Sequence, residues 1–549
     1  MPTVSAHVAL TLSQHIDAVF GVMGNGNAYF LDAIETQTDA VFTAVRHEQG
    51  AVVAADAHFR ASGRIAAGTS TYGAGFTNTL TALAEAVQAH VPLVLVAGDE
   101  PTSGPRPWDV DQIALASAVG ARTYTVGRAD AAATTVIAIE HALTYRVPVV
   151  LAIPYDVASL EAGPVPEAPS PRIPAPLAPR GEFAEGTLDE IAAALGTASR
   201  PFLLAGRGAW LAGAGAALGE LAALTGALTA SSALGRGVFP EAQYDLGVTG
   251  GFGADGAMDL VRSADVAVVF GASLNQFTMR FGELFAPGTR VFQIDIAPAA
   301  THPHVGGFVR ADARLAAEEL VARLGSVSPS SPWRESVDVD SARAYDEGDA
   351  LAADGRLDPR SAARRIAELL PNDRVVVSDG GHFIGWANMY WPVEAPDRMM
   401  MVGTAFQSIG QGWPSVVGAA LARRESTVVL TSGDGGGLMA IADLESAVRA
   451  AQGRGIAVIW NDAAYGAEVN LYGLKGLAEG PMRIPEVDFA AFGAAVGAEG
   501  VVVKTLADLD RLGTWAQEDA ATRRFLLLDL RISGDVIAPY QQEIIRVNS

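Results

Sequence analysis

The sequence has no cysteine among its 549 residues. Disulfides, thiolate metal sites and cysteine nucleophiles are therefore excluded. Basic residues are scarce: 38 Lys and Arg stand against 61 Asp and Glu, a net charge of −23 at pH 7. A chain of that sign repels nucleic-acid phosphate and anionic lipid, so neither is an expected partner. Long hydrophobic runs are also missing. The apolar stretch 147–153 falls far short of the roughly 20 residues that span a bilayer. Residues 1–15 lack the basic-then-apolar order of a secretory signal, so the expectation is a soluble, cytoplasmic protein. No G-x-x-x-x-G-K-[ST], H-E-x-x-H or G-x-S-x-G pattern occurs.

What is present is ample core material. Half the residues are hydrophobic, and the length suggests about three domains. Residues 164–179 hold seven prolines in sixteen positions, which excludes regular helix or central strand and predicts an extended spacer. A second Ser- and Pro-rich stretch covers 326–332. The expected organisation is a domain over 1–163, a linker over 164–180, a central domain over 181–325, a linker over 326–345 and a third domain over 346–549. Short continuous apolar runs read as strands at 41–45, 92–97, 148–153, 202–205, 266–270, 291–294, 375–378, 427–431 and 456–460, with helix-like segments between them. This predicts three α/β domains with mostly parallel sheets covered on both faces. The first and third are expected to be alike, and the central one Rossmann-like. Its G-R-G turn at 206–208 lacks the G-x-G-x-x-G spacing and reads as a plain strand-to-helix turn.

The strongest chemical signal follows strand 427–431. The sequence S-G-D-G-G-G over 432–437 leads into a helix expected over 438–451, then strand 456–460, then N-D-A-A-Y-G over 461–466. Such a βαβ unit brings the carboxyl ends of two parallel strands side by side, the edge where ligands of open α/β sheets bind. Asp434 and Asp462 are then placed to hold a hard divalent cation. Gly435, Gly436 and Gly437 offer backbone N–H groups that favour phosphate.

This unit resembles the thiamine-diphosphate motif, in which G-D-G is followed some 25–30 residues later by an Asn-containing pair. The separation from Asp434 to Asp462 is 28. Matching the Tyr465 and Gly466 that follow puts Asp462 at the metal-ligand position and Ala464 where a backbone carbonyl is offered, with Asn461 as the alternative ligand. The resemblance implies that Gly433, Asp434, Gly435, Gly436, Asp462, Ala464, Tyr465 and Gly466 hold Mg²⁺ and the diphosphate. R-H-E-Q-G-A over 46–51 resembles the R-H-E-x-x-A segment of acetolactate synthases. Glu48 there implies the carboxyl group that hydrogen-bonds the cofactor's aminopyrimidine, a case of general acid–base catalysis. Q-S-I-G over 407–410 resembles the family's G-S-[ILM]-G segment. Ile409 matches the residue that bends the cofactor, and Gln407 the carbonyl that accepts its amino group. D-G-G-H over 379–382 matches a loop near the diphosphate and pyrimidine, placing Gly380, Gly381 and His382 at the cofactor or substrate.

The same resemblance places Asn25 where pyruvate decarboxylases carry Asp, and Thr71 where benzoylformate decarboxylases carry His. Phe76 replaces a small residue of the acetolactate synthase G-P-G-A-T-N pattern, and Glu468 matches a Glu near the reacting carbon. These four form the expected substrate pocket, with Glu48, Glu468 and His382 as catalytic candidates. The His-His pair of pyruvate decarboxylases is not found. The resemblance covers essentially the whole chain, as pyrimidine-binding, central and diphosphate-binding domains. It implies a thiamine-diphosphate- and Mg²⁺-dependent carboligase or decarboxylase. Such an enzyme acts beside the carbonyl of a 2-oxo acid or 2-hydroxyketone through an ylid and an enamine. It also implies a homodimer at minimum and commonly a homotetramer, since Glu48 serves a cofactor held by another subunit. A flavin-containing 2-oxo-acid oxidase, with FAD in the central domain, and a non-catalytic cofactor-binding paralogue are the alternatives.

Overall fold

The computed structural model describes residues 1–167, 169–325 and 331–548. Most of the Ser- and Pro-rich stretch, 326–330, lies outside the described residues. Three six-stranded sheets are built entirely from parallel pairs. The first contains β1 (Ala18–Gly21), β2 (Val41–Ala44), β3 (Ala67–Ser70), β4 (Leu93–Asp99), β5 (Arg122–Thr125) and β6 (Pro148–Pro154). The second contains β7 (Pro201–Ala205), β8 (Leu228–Ser231), β9 (Asp245–Val248), β10 (Val266–Phe270), β11 (Arg290–Asp295) and β12 (Val305–Arg310). The third contains β13 (Arg374–Ser378), β14 (Met399–Met401), β15 (Thr427–Gly433), β16 (Gly455–Asn461), β17 (Glu499–Val503) and β18 (Leu526–Arg531). Strands β4, β6, β10, β15, β16 and β18 are buried along their whole length, because helices cover both faces.

The first sheet runs β2-β1-β3-β4-β6-β5 and the third β14-β13-β15-β16-β18-β17, one order repeated. The middle sheet runs β12-β11-β10-β7-β8-β9, which read from its other edge is the doubly wound 3-2-1-4-5-6 order. Its turn at Gly206 packs backbone to backbone against Gly271 and Ala272, and Arg207 donates to the Ala89 carbonyl at 3.1 Å in the first domain. Residues 331–345 pack on this middle unit, with Val339 in its core and the Tyr345 hydroxyl donating to the Phe252 carbonyl at 2.7 Å. Among the described residues, no helix is long and apolar enough to cross a membrane.

The first and third units are joined by equivalent helices, each following the second strand of its unit. Helix Glu48–Ser62 and helix Gly412–Ala422 lie side by side. Gly50 faces Pro414 near their N-termini, and Arg423 Nε donates to the Ala61 carbonyl at 2.7 Å beyond their C-termini. At the crossing, Gly418 meets the Ala54 carbonyl so closely that no side chain fits there.

His58, on the first of these helices, is buried, and burial pushes its imidazole down to about 4. The unfolded chain takes up this proton near pH 6.5, whereas the folded chain resists until about 4. Stability contributed by the neutral ring is therefore intact above pH 6.5 and is lost as pH falls, by about 3 kcal/mol at pH 4. Urea unfolding at pH 7 and pH 4 is expected to show a shallower pH dependence in His58→Gln by that amount.

One element differs from expectation. The single helix expected over 438–451 is broken into Asp434–Met439, a 3₁₀ turn Ile441–Asp443 and Leu444–Ala451. The Trp413 indole donates to the Gly437 carbonyl at 3.0 Å, taking the acceptor that residue 441 would use in a continuous helix. Asp443 is drawn to the first domain, where its Oδ1 accepts from the Arg46 N–H at 2.7 Å.

Candidate active site

At the carboxyl edge of the third sheet, Gly433 ends β15 opposite Trp460, so Asp434 and the residues after β16 emerge together. Asp434 and Asp462 are both buried. Asp434 Oδ1 accepts from the Gly435 N–H at 2.8 Å, while its Oδ2 and Asp462 Oδ1 have no hydrogen-bond partner. Burial, with the Asp462 charge beside it, pushes the Asp434 carboxyl up to about 7. His382 Nε2 lies 3.1 Å from Asp462 Oδ2. Burial works against the charged imidazole, but the Asp462 carboxylate outweighs it, with Asp434 and Glu468 adding, and its pKa is raised. Each of these buried carboxylates thus keeps one oxygen without a hydrogen-bond partner, and the Asp462 charge disfavours ionisation of Asp434.

Asn461 is differently engaged. Its Nδ2 donates to the Val487 carbonyl at 3.0 Å and to Asp529 Oδ1 at 2.9 Å, while its Oδ1, like Asp462 Oδ1, has no hydrogen-bond partner. Ala463 adopts φ 59°, turning the chain so that Tyr465 N–H donates to the Met482 carbonyl at 2.8 Å and Ile484 N–H to the Ala463 carbonyl at 3.1 Å. Neither bond uses the Ala464 carbonyl. The Tyr465 ring lies against Gly435 and the His382 ring against Gly466, approaches that a side chain on either glycine would block.

The loop after β14 closes this side. Ile409 is half-buried against Gly380, and Gly410 rests on Met439. Gln407 is exposed at the tip in a left-handed conformation, φ 59°. Asp379, buried at the end of β13, accepts from the N–H groups of Gly380, Gly410 and Gln411 at 2.8, 3.0 and 3.1 Å and from the Ser432 hydroxyl at 3.0 Å. Gly381 takes φ 140°, and the Tyr540 hydroxyl, from the C-terminal helix, donates to the His382 carbonyl. Glu468 is exposed one turn beyond Tyr465.

The remaining sequence-derived residues form a second group at the carboxyl edge of the first sheet. Glu48 opens its helix and is half-buried, its Oε2 accepting from Asn78 Nδ2 at 2.9 Å and its Oε1 beside Gly75. Thr71 packs on Gly24 and accepts from the Gly26 N–H at 2.9 Å. Asn25 is exposed, and its Nδ2 donates to the Tyr72 hydroxyl at 3.0 Å, under the Arg106 guanidinium 4.0 Å from the Tyr72 ring. Phe76 is fully buried in the core rather than facing this edge. Sequence reasoning did not single out Asn78, Glu85 or Tyr540, and gave the Asp379 side chain no role. Asp379 had a local signal, an Asp between a strand and two glycines, and Asn78 stands at the last position of the G-P-G-A-T-N pattern.

Family comparison agrees with this layout. Residues 2–118 match the N-terminal TPP binding domain of thiamine pyrophosphate enzymes, 188–325 their central domain and 379–530 their C-terminal TPP binding domain. Sulfoacetaldehyde acetyltransferase of Rhodobacter capsulatus is 27% identical over 99% of this chain and 96% of its own. Acetolactate synthase isozyme 3 large subunit of Escherichia coli is 26% identical over 95% and 93%, respectively. Acetolactate synthase 2 of Zea mays chloroplasts is 28% identical over 91% and 80%. Three domains matched in order, on three parallel sheets in the same order, leave one conclusion: the chain belongs to the thiamine pyrophosphate enzyme family.

Proposed function

We propose that this protein uses thiamine diphosphate and Mg²⁺ to cleave or form a C–C bond beside the carbonyl of a 2-oxo acid or 2-hydroxyketone, in the manner of an acetolactate synthase-like carboligase or decarboxylase. The pair of unpartnered buried oxygens on Asp434 and Asp462 carries the reading. Among the described residues, no cluster of three or more His, Asp or Glu is arranged to hold a metal alone. Mg²⁺ suits that deficit, since it is commonly bound by one or two carboxylates together with substrate phosphates.

Asp434 and Asp462 are the side-chain ligands in this reading, with the Ala464 carbonyl as the third protein oxygen. Asn461 Oδ1 is buried and unpartnered as well, so Asn461 stays the alternative ligand, and Asp462 is preferred for its negative charge. Gly433, Gly435, Gly436, Gly380, Gly381, Tyr465 and Gly466 shape the diphosphate cradle, and Gln407 and Ile409 contact the rings. When bound, the cofactor supplies an electron sink for the carbanion. Glu48 holds and releases a proton on Oε1, the oxygen that Asn78 leaves available. His382, held by Asp462, and Glu468 move protons or steer a carboxylate at the reacting carbon. Asn25 and Thr71 face the substrate, and Phe76 acts on the pocket through the packing beneath it.

In line with the family resemblance, a second copy supplies Glu48 to each diphosphate site in this reading, in a homodimer or a dimer of dimers. Proton NMR of the protein with pyruvate, thiamine diphosphate and Mg²⁺ tests the reading. Acetolactate marks a synthase and acetaldehyde a decarboxylase. Sulfoacetaldehyde follows in the same assay, given the relatives' names. No turnover of these or of a panel of 2-oxo acids would reject it.

A further inference from the structure

A buried charge cluster links the first domain to the third. Asp56, Arg60 and Glu85, all in the first domain, are at most 8% exposed. Arg60 donates through Nε to Asp56 Oδ1 at 2.5 Å and through Nη2 to Asp56 Oδ2 at 3.2 Å and Glu85 Oε1 at 3.1 Å. Two arms of the cluster leave the domain. Arg60 Nη1 donates to the Met401 carbonyl at 3.0 Å, and Glu85 Oε2 accepts from the Phe406 N–H at 2.7 Å. One grips the last residue of β14 and the other the loop that follows it.

Buried ion clusters are poor sources of net stability, because desolvation offsets their attraction. They do fix geometry, and this loop needs it. Gln407 is a non-glycine residue at φ 59°, next to the gripped Phe406. Gly403, at φ 105°, accepts from the Ser408 N–H at 2.8 Å, folding the loop back on itself. Such backbone persists only where its surroundings over-determine it. Here Arg60 and Glu85 hold positions 401 and 406, while Asp379 holds 410 and 411, so Gln407 and Ile409 hang between two clamps.

We propose that Glu85 and Arg60 are positioning residues, through which the first domain sets the shape of the loop that presents Gln407 and Ile409 to the thiamine rings. The inference rests on the ring contacts given under Proposed function. Arg60 and Glu48 ride on one helix, 12 residues or about 18 Å apart, so the element that presents the proton-transfer carboxyl at one end braces the ring-contact loop at the other.

The test uses the full chain. In Glu85→Gln the amide must turn an NH₂ toward either Arg60 or the Phe406 N–H, so one contact is lost. Phe406→Pro removes the donor, together with a half-exposed side chain and the freedom of φ at 406, and leaves the Arg60–Glu85 pair in place. Hydrogen–deuterium exchange over 401–411 is measured without cofactor, and the Kd for thiamine diphosphate at saturating Mg²⁺ by calorimetry. Losing a hydrogen bond to a charged group predicts about tenfold faster exchange and about tenfold weaker binding in both variants, with kcat at saturating cofactor changed less than Kd. Unchanged loop exchange, or faster exchange with unaltered affinity, overturns the proposal. A wild-type chain that binds no thiamine diphosphate instead overturns the functional reading, and exchange in the cofactor-free chain still separates the two.

Discussion

Glu48→Gln is expected to retain thiamine diphosphate binding while losing turnover by about 10²- to 10⁴-fold, the range general acid–base catalysis supplies. Gln is close to isosteric, and its amide oxygen can still accept from Asn78, so the start of helix Glu48–Ser62 stays where it is. What disappears is an oxygen able to gain and lose a proton. Calorimetry of cofactor binding and single-turnover kinetics on the same preparation separate the two effects. Undiminished turnover would refute the role given to Glu48. A collapse of binding alongside turnover would mean that Glu48 holds the cofactor rather than exchanging a proton with it.

Asp434→Ala is expected to weaken Mg²⁺-dependent thiamine diphosphate binding by at least about 100-fold, the upper end of what losing a partner of a metal ligand costs. The cofactor-free variant is expected to melt no lower than the wild type. Its carboxyl group is buried against Asp462 with Oδ2 unpaired, and burial together with that neighbouring charge already pushes its proton affinity up to about 7. Without the cation, removing one of two crowded carboxylates relieves repulsion. Reduced affinity with an undisturbed melting curve identifies a ligand. Unchanged affinity by calorimetry would reject the metal assignment.

Eight of the twelve interior strands were legible because parallel sheets covered on both faces leave uninterrupted apolar runs, whereas β1, β3, β8 and β18 were not marked out. Residues 266–270 appear as strand β10 at those limits. Among the outer strands β2 was legible and the other five were not. Arg122–Thr125 (R-T-Y-T) and Asp245–Val248 carry polar residues at the sheet margins, and Met399–Met401 is only three residues long. The break at 441–443 escaped because its cause is an indole 24 residues away in sequence. Within the site, the meeting of Asp434 and Asp462 followed from the βαβ crossover alone. The supports did not. Glu48 and Asn78 are 30 residues apart, Asp379 and Ser432 are 53, and Glu85 and Phe406 are 321. Nothing periodic or local encodes such pairs.

The crossing of helices Glu48–Ser62 and Gly412–Ala422 has a consequence for biosynthesis. Ala54 and its covering glycine at 418 are 364 positions apart. At about 5–20 residues per second, the ribosome needs roughly 20–70 s to supply the second helix after the first has emerged. During that interval the nascent first domain has its strands and local contacts but carries an uncovered face of small apolar residues around Ala54, with the carbonyl and amide partners of Arg60 and Glu85 still unsynthesised. Until the second helix is made, the N-terminal third exposes the kind of apolar surface that makes an unfinished chain aggregation-prone.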